Sequence, residues 1–193
     1  MLETLVRLFL SIDFLQASIR FSTPLLGASM GEALSERAGM VNVSLEGMML
    51  CGALGGALGV YYSGNPWLGV ASGVVAGMAL AALQGFFSIT LAVNQVVVGI
   101  ALNVFSLGAT TFVSRAVFSL TESNQVTGFS PVRLPLLGQI PLVGDALFNH
   151  SILVYLTYLL IPVVALVITR TKWGLNLRAV GEQHAGGVDD RER

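Results

Sequence analysis

Among aspartate, glutamate, lysine and arginine, only Glu46 occurs between Ala38 and Ser114, in a run otherwise built from apolar, small and amide residues. An intramembrane carboxylate costs several kcal/mol unless it is paired, protonated or hydrated, so Glu46 is a candidate for gating or for lining a polar path. Asn42, four residues earlier, would share its helical face and could donate a hydrogen bond to it. Gln95 and Asn103 lie about two turns apart and share a face as well. They line a polar pathway or hold the bundle together through interhelical hydrogen bonds, and Glu46 is open to the same packing reading. Asn94 and Gln84 add further polar groups. The apolar segments contain no Ser/His pair, no Asp pair and no metal triad, the chain has no HExxH, and neither His150 nor His184 has a metal-ligand partner at suitable spacing. The single lysine, Lys172, is followed by Trp173, so there is no Walker A loop. No catalytic residue, metal or cofactor is expected, and any ATP hydrolysis must belong to another polypeptide.

The elements that would position these side chains follow from composition. The 193 residues are 54% hydrophobic and 11% charged, with a mean hydropathy of +0.76. Soluble domains carry about 25% charged residues, so lipid must cover this surface. A net charge of −1 with ten scattered Lys and Arg argues against a nucleic-acid partner. Cys51 is alone, which excludes an internal disulfide and suggests a small buried hydrophobe. Glu3, Arg7 and Asp13 interrupt any signal-like apolar core. A span needs roughly 20 apolar residues, and four segments meet this: 41–62, 67–91, 95–118 and 151–169. Ser63-Gly64-Asn65-Pro66 reads as a tight turn with Pro at a helix start. Upstream, 2–13 has the spacing of an interfacial amphipathic helix, and 17–34 is a fifth hydrophobic stretch interrupted by Arg20 and Pro24. The connection 119–150, with Pro131, Pro135 and Pro141, reads as a surface excursion. The expected fold is all-α, a polytopic transmembrane bundle of four clear spans plus one interrupted N-terminal segment. Arg170, Lys172 and Arg178 place the end of the last span in the cytoplasm, which puts the Pro66 turn outside and Glu32, Glu36 and Arg37 inside.

Glycine makes up 22 of the 193 residues. Gly69, Gly73, Gly77, Ala81 and Gly85 recur at every fourth position, and Gly52, Gly55, Gly56 and Gly59 form overlapping GxxxG patterns on the preceding span. Such stripes let helix backbones approach closely in lipid, as a static packing seam or as a sliding interface. Gly52, Gly56, Gly69, Gly73 and Gly77 are the expected packing positions.

Three stretches carry a family resemblance. Thr23-Pro24-Leu25-Leu26 and Gly31-Glu32 lead into ERAGMVNVSLEGMMLCGALGG (36–56), and NQVVVGIALNVFSLGATTF (94–112) and TKWGLNLRAVGE (171–182) follow. Together they resemble the permease subunits of ABC importers for nucleosides and simple sugars, the branch related to ribose permeases. The resemblance implies a transmembrane subunit of the cytoplasmic (inner) membrane that pairs with a second permease, docks on a cytoplasmic ABC ATPase and receives substrate from an extracytoplasmic binding protein. It maps a signature onto Arg37, Gly39, Asn42, Glu46 and Gly47, and an ATPase-coupling segment onto Arg178, Val180, Gly181 and Glu182. It covers 1–182, which would be the N-terminal part of a family domain. Residues 183–193 depart from it, and Gly186-Gly187 with the terminal charges predict a helix break and a solvated tail. That departure reads as a truncated permease. A small carrier or pore, or a non-transporting membrane subunit, are the alternatives from other classes.

Overall fold

The computed structural model describes residues 12–118, 128–133 and 147–189, and it is helical almost throughout. Its helices are α1 (Ile12–Arg37), α2 (Leu45–Ser63), α3 (Pro66–Gly85), α4 (Gln95–Val117), α5 (Ile152–Arg170) and α6 (Lys172–Asp189). A π-helical turn, Phe86–Thr90, extends α3. Two-residue strands β1 (Val132–Arg133) and β2 (Asn149–His150) pair antiparallel, with Val132 opposite His150. They belong to the 119–150 connection, of which residues 128–133 and 147–150 are described; the expected amphipathic helix over 2–13 lies almost wholly outside the described residues.

Local chemistry explains the boundaries. Gly64 adopts a left-handed conformation (φ 66°) and its N–H bonds to the Val60 carbonyl, closing α2. Asn65 then caps α3, accepting from the Trp67 N–H at 2.9 Å, with Pro66 at the first helical position. Asn94 caps α4 by accepting from Val96 and Val97. That is the job of this amide at a span's start, where free N–H groups would otherwise face lipid.

Among the described residues, three helical stretches are long and apolar enough to cross a membrane: Pro66–Thr90, Gln95–Val117 and Ile152–Arg170. The segment expected as a fourth span begins as a helix only at Leu45, and α2 with its glycines, Glu46 and two tyrosines does not join that set. The interrupted hydrophobic stretch expected over 17–34 lies within α1, which does not join that set either. Helix α1 runs unbroken past Arg20 and Pro24 for 26 residues; proline removes the one N–H that would reach the Arg20 carbonyl, and the flanking turns carry the helix across. Nor do Gly186 and Gly187 break α6, which continues to Asp189. A glycine costs a helix about 1 kcal/mol, which weakens it without ending it.

By internal contacts the chain divides into two units, Met1–Gly31 with Phe129–Asn176, and Glu32–Gly128 with Leu177–Arg193. In the first, His150 is buried beside Tyr155, whose hydroxyl accepts from the His150 N–H (3.3 Å) and donates to the Val132 carbonyl (3.0 Å). Gly174 lies so close to the Val167 carbonyl that an added Cβ would stand 2.6 Å from it, which folds α6 tightly back on the end of α5. In the second unit, α2, α3 and α4 pack around Leu80, Val98 and Leu102, with Met48 and Cys51 against them.

The two glycine stripes face one another. A Cβ on Gly73 would stand 2.8 Å from the Gly52 carbonyl oxygen, and one on Gly69 would stand 2.9 Å from that of Gly56. Ser72 adds a hydrogen bond from its hydroxyl to the Gly55 carbonyl at 2.9 Å. Gly77 is looser, at 3.7 Å from the Met48 carbonyl.

Candidate functional site

Helix α1 ends where Gly39 takes φ 80°. The N–H of Met40 bonds to the Ser35 carbonyl and that of Gly39 to the Glu36 carbonyl, both at 3.0 Å, the hydrogen-bond pattern of a glycine-terminated helix end. The chain then runs without helix as far as Ser44. Backbone N–H and C=O groups outside a helix need other partners, and side-chain amides supply several of them here.

One face of α4 receives this hook. Gln95 Oε1 accepts from the Val41 N–H at 3.0 Å. Asn103 works in both directions, donating to the Val43 carbonyl at 2.8 Å and accepting from the Gly47 N–H at 2.7 Å. Between them, Gly99 leaves room: a Cβ there would stand 2.6 Å from Val43 Cβ. A Cβ on Gly47 would likewise stand 2.8 Å from Ser106 Oγ. Gln95, Gly99, Asn103 and Ser106 are spaced by four, four and three, the spacing of a single helical face. From α3, Gln84 bonds the fully buried Ser44 hydroxyl, which also donates to Asn42 Oδ1 at 3.1 Å.

Three of the four expected pathway residues therefore meet at the hook. Asn42, Gln95 and Asn103 converge on it, and the two α4 amides are engaged with backbone groups. Glu46 does not join them. The expected Asn42–Glu46 pair is absent because residues 39–43 are not helical, so the four-residue spacing has no geometric meaning there. The Asn42 side chain turns instead to Ser44 and to Met48 Sδ (3.6 Å), while Glu46 lies exposed in the first turn of α2, where the helix dipole favours a negative charge. Removing that charge in Glu46→Gln should cost less than about 1 kcal/mol of stability yet lower uptake several-fold. Thermal unfolding and transport assays on the same preparation would check both halves.

Sequence reasoning missed Glu32. One carboxylate oxygen accepts from the Asn42 N–H at 3.1 Å, and the other is buried without a hydrogen-bond partner. Its place directly after Gly31, one turn before the RAG motif, was the available signal. Gly27-Ala28-Ser29-Met30-Gly31 also matches GxSxG, but it lies inside α1 and the Ser29 hydroxyl donates to the Leu26 carbonyl. It is therefore not the strand-to-helix elbow a nucleophilic serine needs. Among the described residues no group of His, Cys, Asp and Glu is placed to hold a metal.

The residues expected to couple to an ATPase lie beside the hook. Gly181 on α6 rests against the Arg37 carbonyl, and a Cβ there would stand 3.3 Å from the Gly39 nitrogen. Arg178, Val180 and Glu182 are exposed around it.

Residues 14–186 match the family model described as branched-chain amino acid transport system / permease component. The chain belongs to this permease family. The permease is 42% identical over 172 residues to the "Putative glucose ABC transporter permease protein" of Haloferax volcanii, covering 87% of this chain and 51% of that protein. It is 30% identical over 177 residues to the guanosine ABC transporter permease protein NupQ of Bacillus subtilis, covering 86% and 54%. Against the nucleoside ABC transporter permease protein NupC of Lactococcus lactis the figures are 31% over 169 residues, 84% and 53%. The chain spans about half the length of the curated relatives it matches. No solved structure matches it. Family and apolar helices together make this a multi-pass protein of the inner membrane and not an enzyme.

Proposed function

We propose that the permease forms part of the membrane pathway of an ATP-driven importer for nucleosides or simple sugars. The observation that carries this reading is its similarity, over most of its length, to relatives named for glucose, guanosine and nucleoside transport. The partners are a cytoplasmic ABC ATPase, a second permease subunit and an extracytoplasmic binding protein. Arg178, Val180, Gly181 and Glu182 dock on the ATPase. Gly181 supports the arrangement physically, since it presses on the turn from which the hook starts, and the hook is tied to α4 through Gln95 and Asn103. A shift of the docked segment then reaches the spans without slack, and the hook is the gating element. Glu46 stands on the same end of α2, at the inner mouth of the path. Closure of the ATPase biases the spans between two states of different affinity for substrate.

Co-purification with its genomic neighbours tests this. An ATPase subunit should come with the chain. Its absence, with full recovery of the chain itself, would favour the carrier or structural reading. Gly181→Leu has no room for its side chain and should reduce ATP-driven uptake in membrane vesicles at least about tenfold, the effect of 1.4 kcal/mol.

A further inference from the structure

The end of α2 and α4 remote from the hook holds an open groove of about 610 Å³, within the range of small-molecule sites. Leu50 and Leu54 make the α2 wall apolar, with Ala53 and Ala57 making room. On α4, Thr111, Ser114, Arg115 and Phe118 line it, beside Thr110, whose hydroxyl donates to the Ser106 carbonyl. Tyr61 packs edge-on against the Phe118 ring, with centroids 5.3 Å apart, and Tyr62 packs on Tyr61 at 5.2 Å. An aromatic corner therefore stands beside hydroxyls and a guanidinium.

Three features select the occupant. Two hydroxyls and a guanidinium would be wasted on an acyl chain, because burying them against hydrocarbon leaves their hydrogen bonds unmade. Among the described lining residues Arg115 is the one charged group, too few for a phosphorylated ligand, for which several cationic contacts are usual. An aromatic face beside hydrogen-bonding groups suits a ring with an apolar face and a hydroxylated edge. The groove lies toward the end of α4 away from the hook, Thr111 to Phe118 standing roughly 12 to 22 Å along the helix from Asn103.

We propose that this groove is an outward-facing seat for a neutral polyhydroxylated ring, either a free hexose or the ribose of a nucleoside. Phe118 is its platform, and Thr111, Ser114 and Arg115 bond its hydroxyls. The proposal rests on the reading of the chain as an importer permease.

The test is equilibrium binding of labelled glucose and of labelled guanosine to the purified transporter complex in lipid nanodiscs without binding protein, alongside uptake by the whole system. Phe118→Ala and Arg115→Ala should each weaken binding about tenfold or more, the scale of losing one stacked ring. Phe118→Tyr, which keeps the platform, should stay near wild type, and Ala57→Phe should block binding by filling the groove. ATPase co-purification should not move in any of the four, and thermal stability should stay near wild type in Arg115→Ala and Phe118→Tyr. Whichever ligand shows the pattern identifies the source of the ring. Normal uptake with unchanged binding in Phe118→Ala, Arg115→Ala and Ala57→Phe would overturn the seat and leave the groove to lipid. A wild-type system that takes up neither ligand and captures no ATPase would overturn the importer reading, and the seat with it.

Discussion

Gly73→Leu should separate α2 from α3 and lower stability by about 3 kcal/mol or more, at the upper end of the cost of overpacking. The obstacle is backbone, not a side chain that can turn away. A Cβ alone would stand 2.8 Å from the Gly52 carbonyl oxygen and 3.4 Å from the Gly56 Cα. Leucine adds three more carbons to a seam already at contact. In lipid no hydrophobic effect compensates, since the helices associate through close packing and a few hydrogen bonds such as Ser72 to Gly55. Thermal unfolding in detergent, followed by loss of a folded-state signal, gives the readout. A graded series sharpens it: Gly73→Ala should cost less than Gly73→Leu, and Gly77→Ala, with 3.7 Å of clearance, should be neutral or slightly stabilising because alanine favours helix. Equal stability of all three would mean that this stripe does not hold the bundle.

The turn at Ser63–Pro66 and the three apolar spans were legible because each rests on local signals: a left-handed glycine, an asparagine cap, a proline at the first position and a long apolar run. The hook was not. Val41-Asn42-Val43 reads as a continuation of the apolar segment that follows, and hydropathy does not separate extended from helical backbone over so few residues. The one local sign was Gly39, placed directly after a helix ending in arginine. What holds the hook lies more than fifty residues away on α4, and a single sequence does not report such pairings. The same distance effect explains why the pathway and bundle-tie readings of Gln95 and Asn103 both stayed open, whereas Glu32, only ten residues from the Asn42 N–H it accepts from, was read for its side of the membrane and not as a site residue. Proline and paired glycines misled in the other direction, since each weakens a helix by an amount its neighbours can absorb.

Asn103→Leu tests what the polar face of α4 is for. The amide of Asn103 satisfies the Val43 carbonyl and the Gly47 N–H together, and leucine, of similar volume, satisfies neither. Each backbone group left buried without a partner costs about 1–3 kcal/mol, so the substitution should lower stability by about 2–6 kcal/mol. Gln95→Leu, which frees only the exposed Val41 N–H, should cost about 1 kcal/mol or less because water or lipid headgroups can replace the bond. Asn103→Asp retains the acceptor for Gly47 and loses the donor to Val43, and should fall between them. Unfolding measurements on the three variants set this order against the alternative in which these amides line a path for substrate. A lining residue would change transport while leaving unfolding untouched. A tie changes unfolding first, and transport in proportion to how firmly the hook is still held against Gly99 and Asn103.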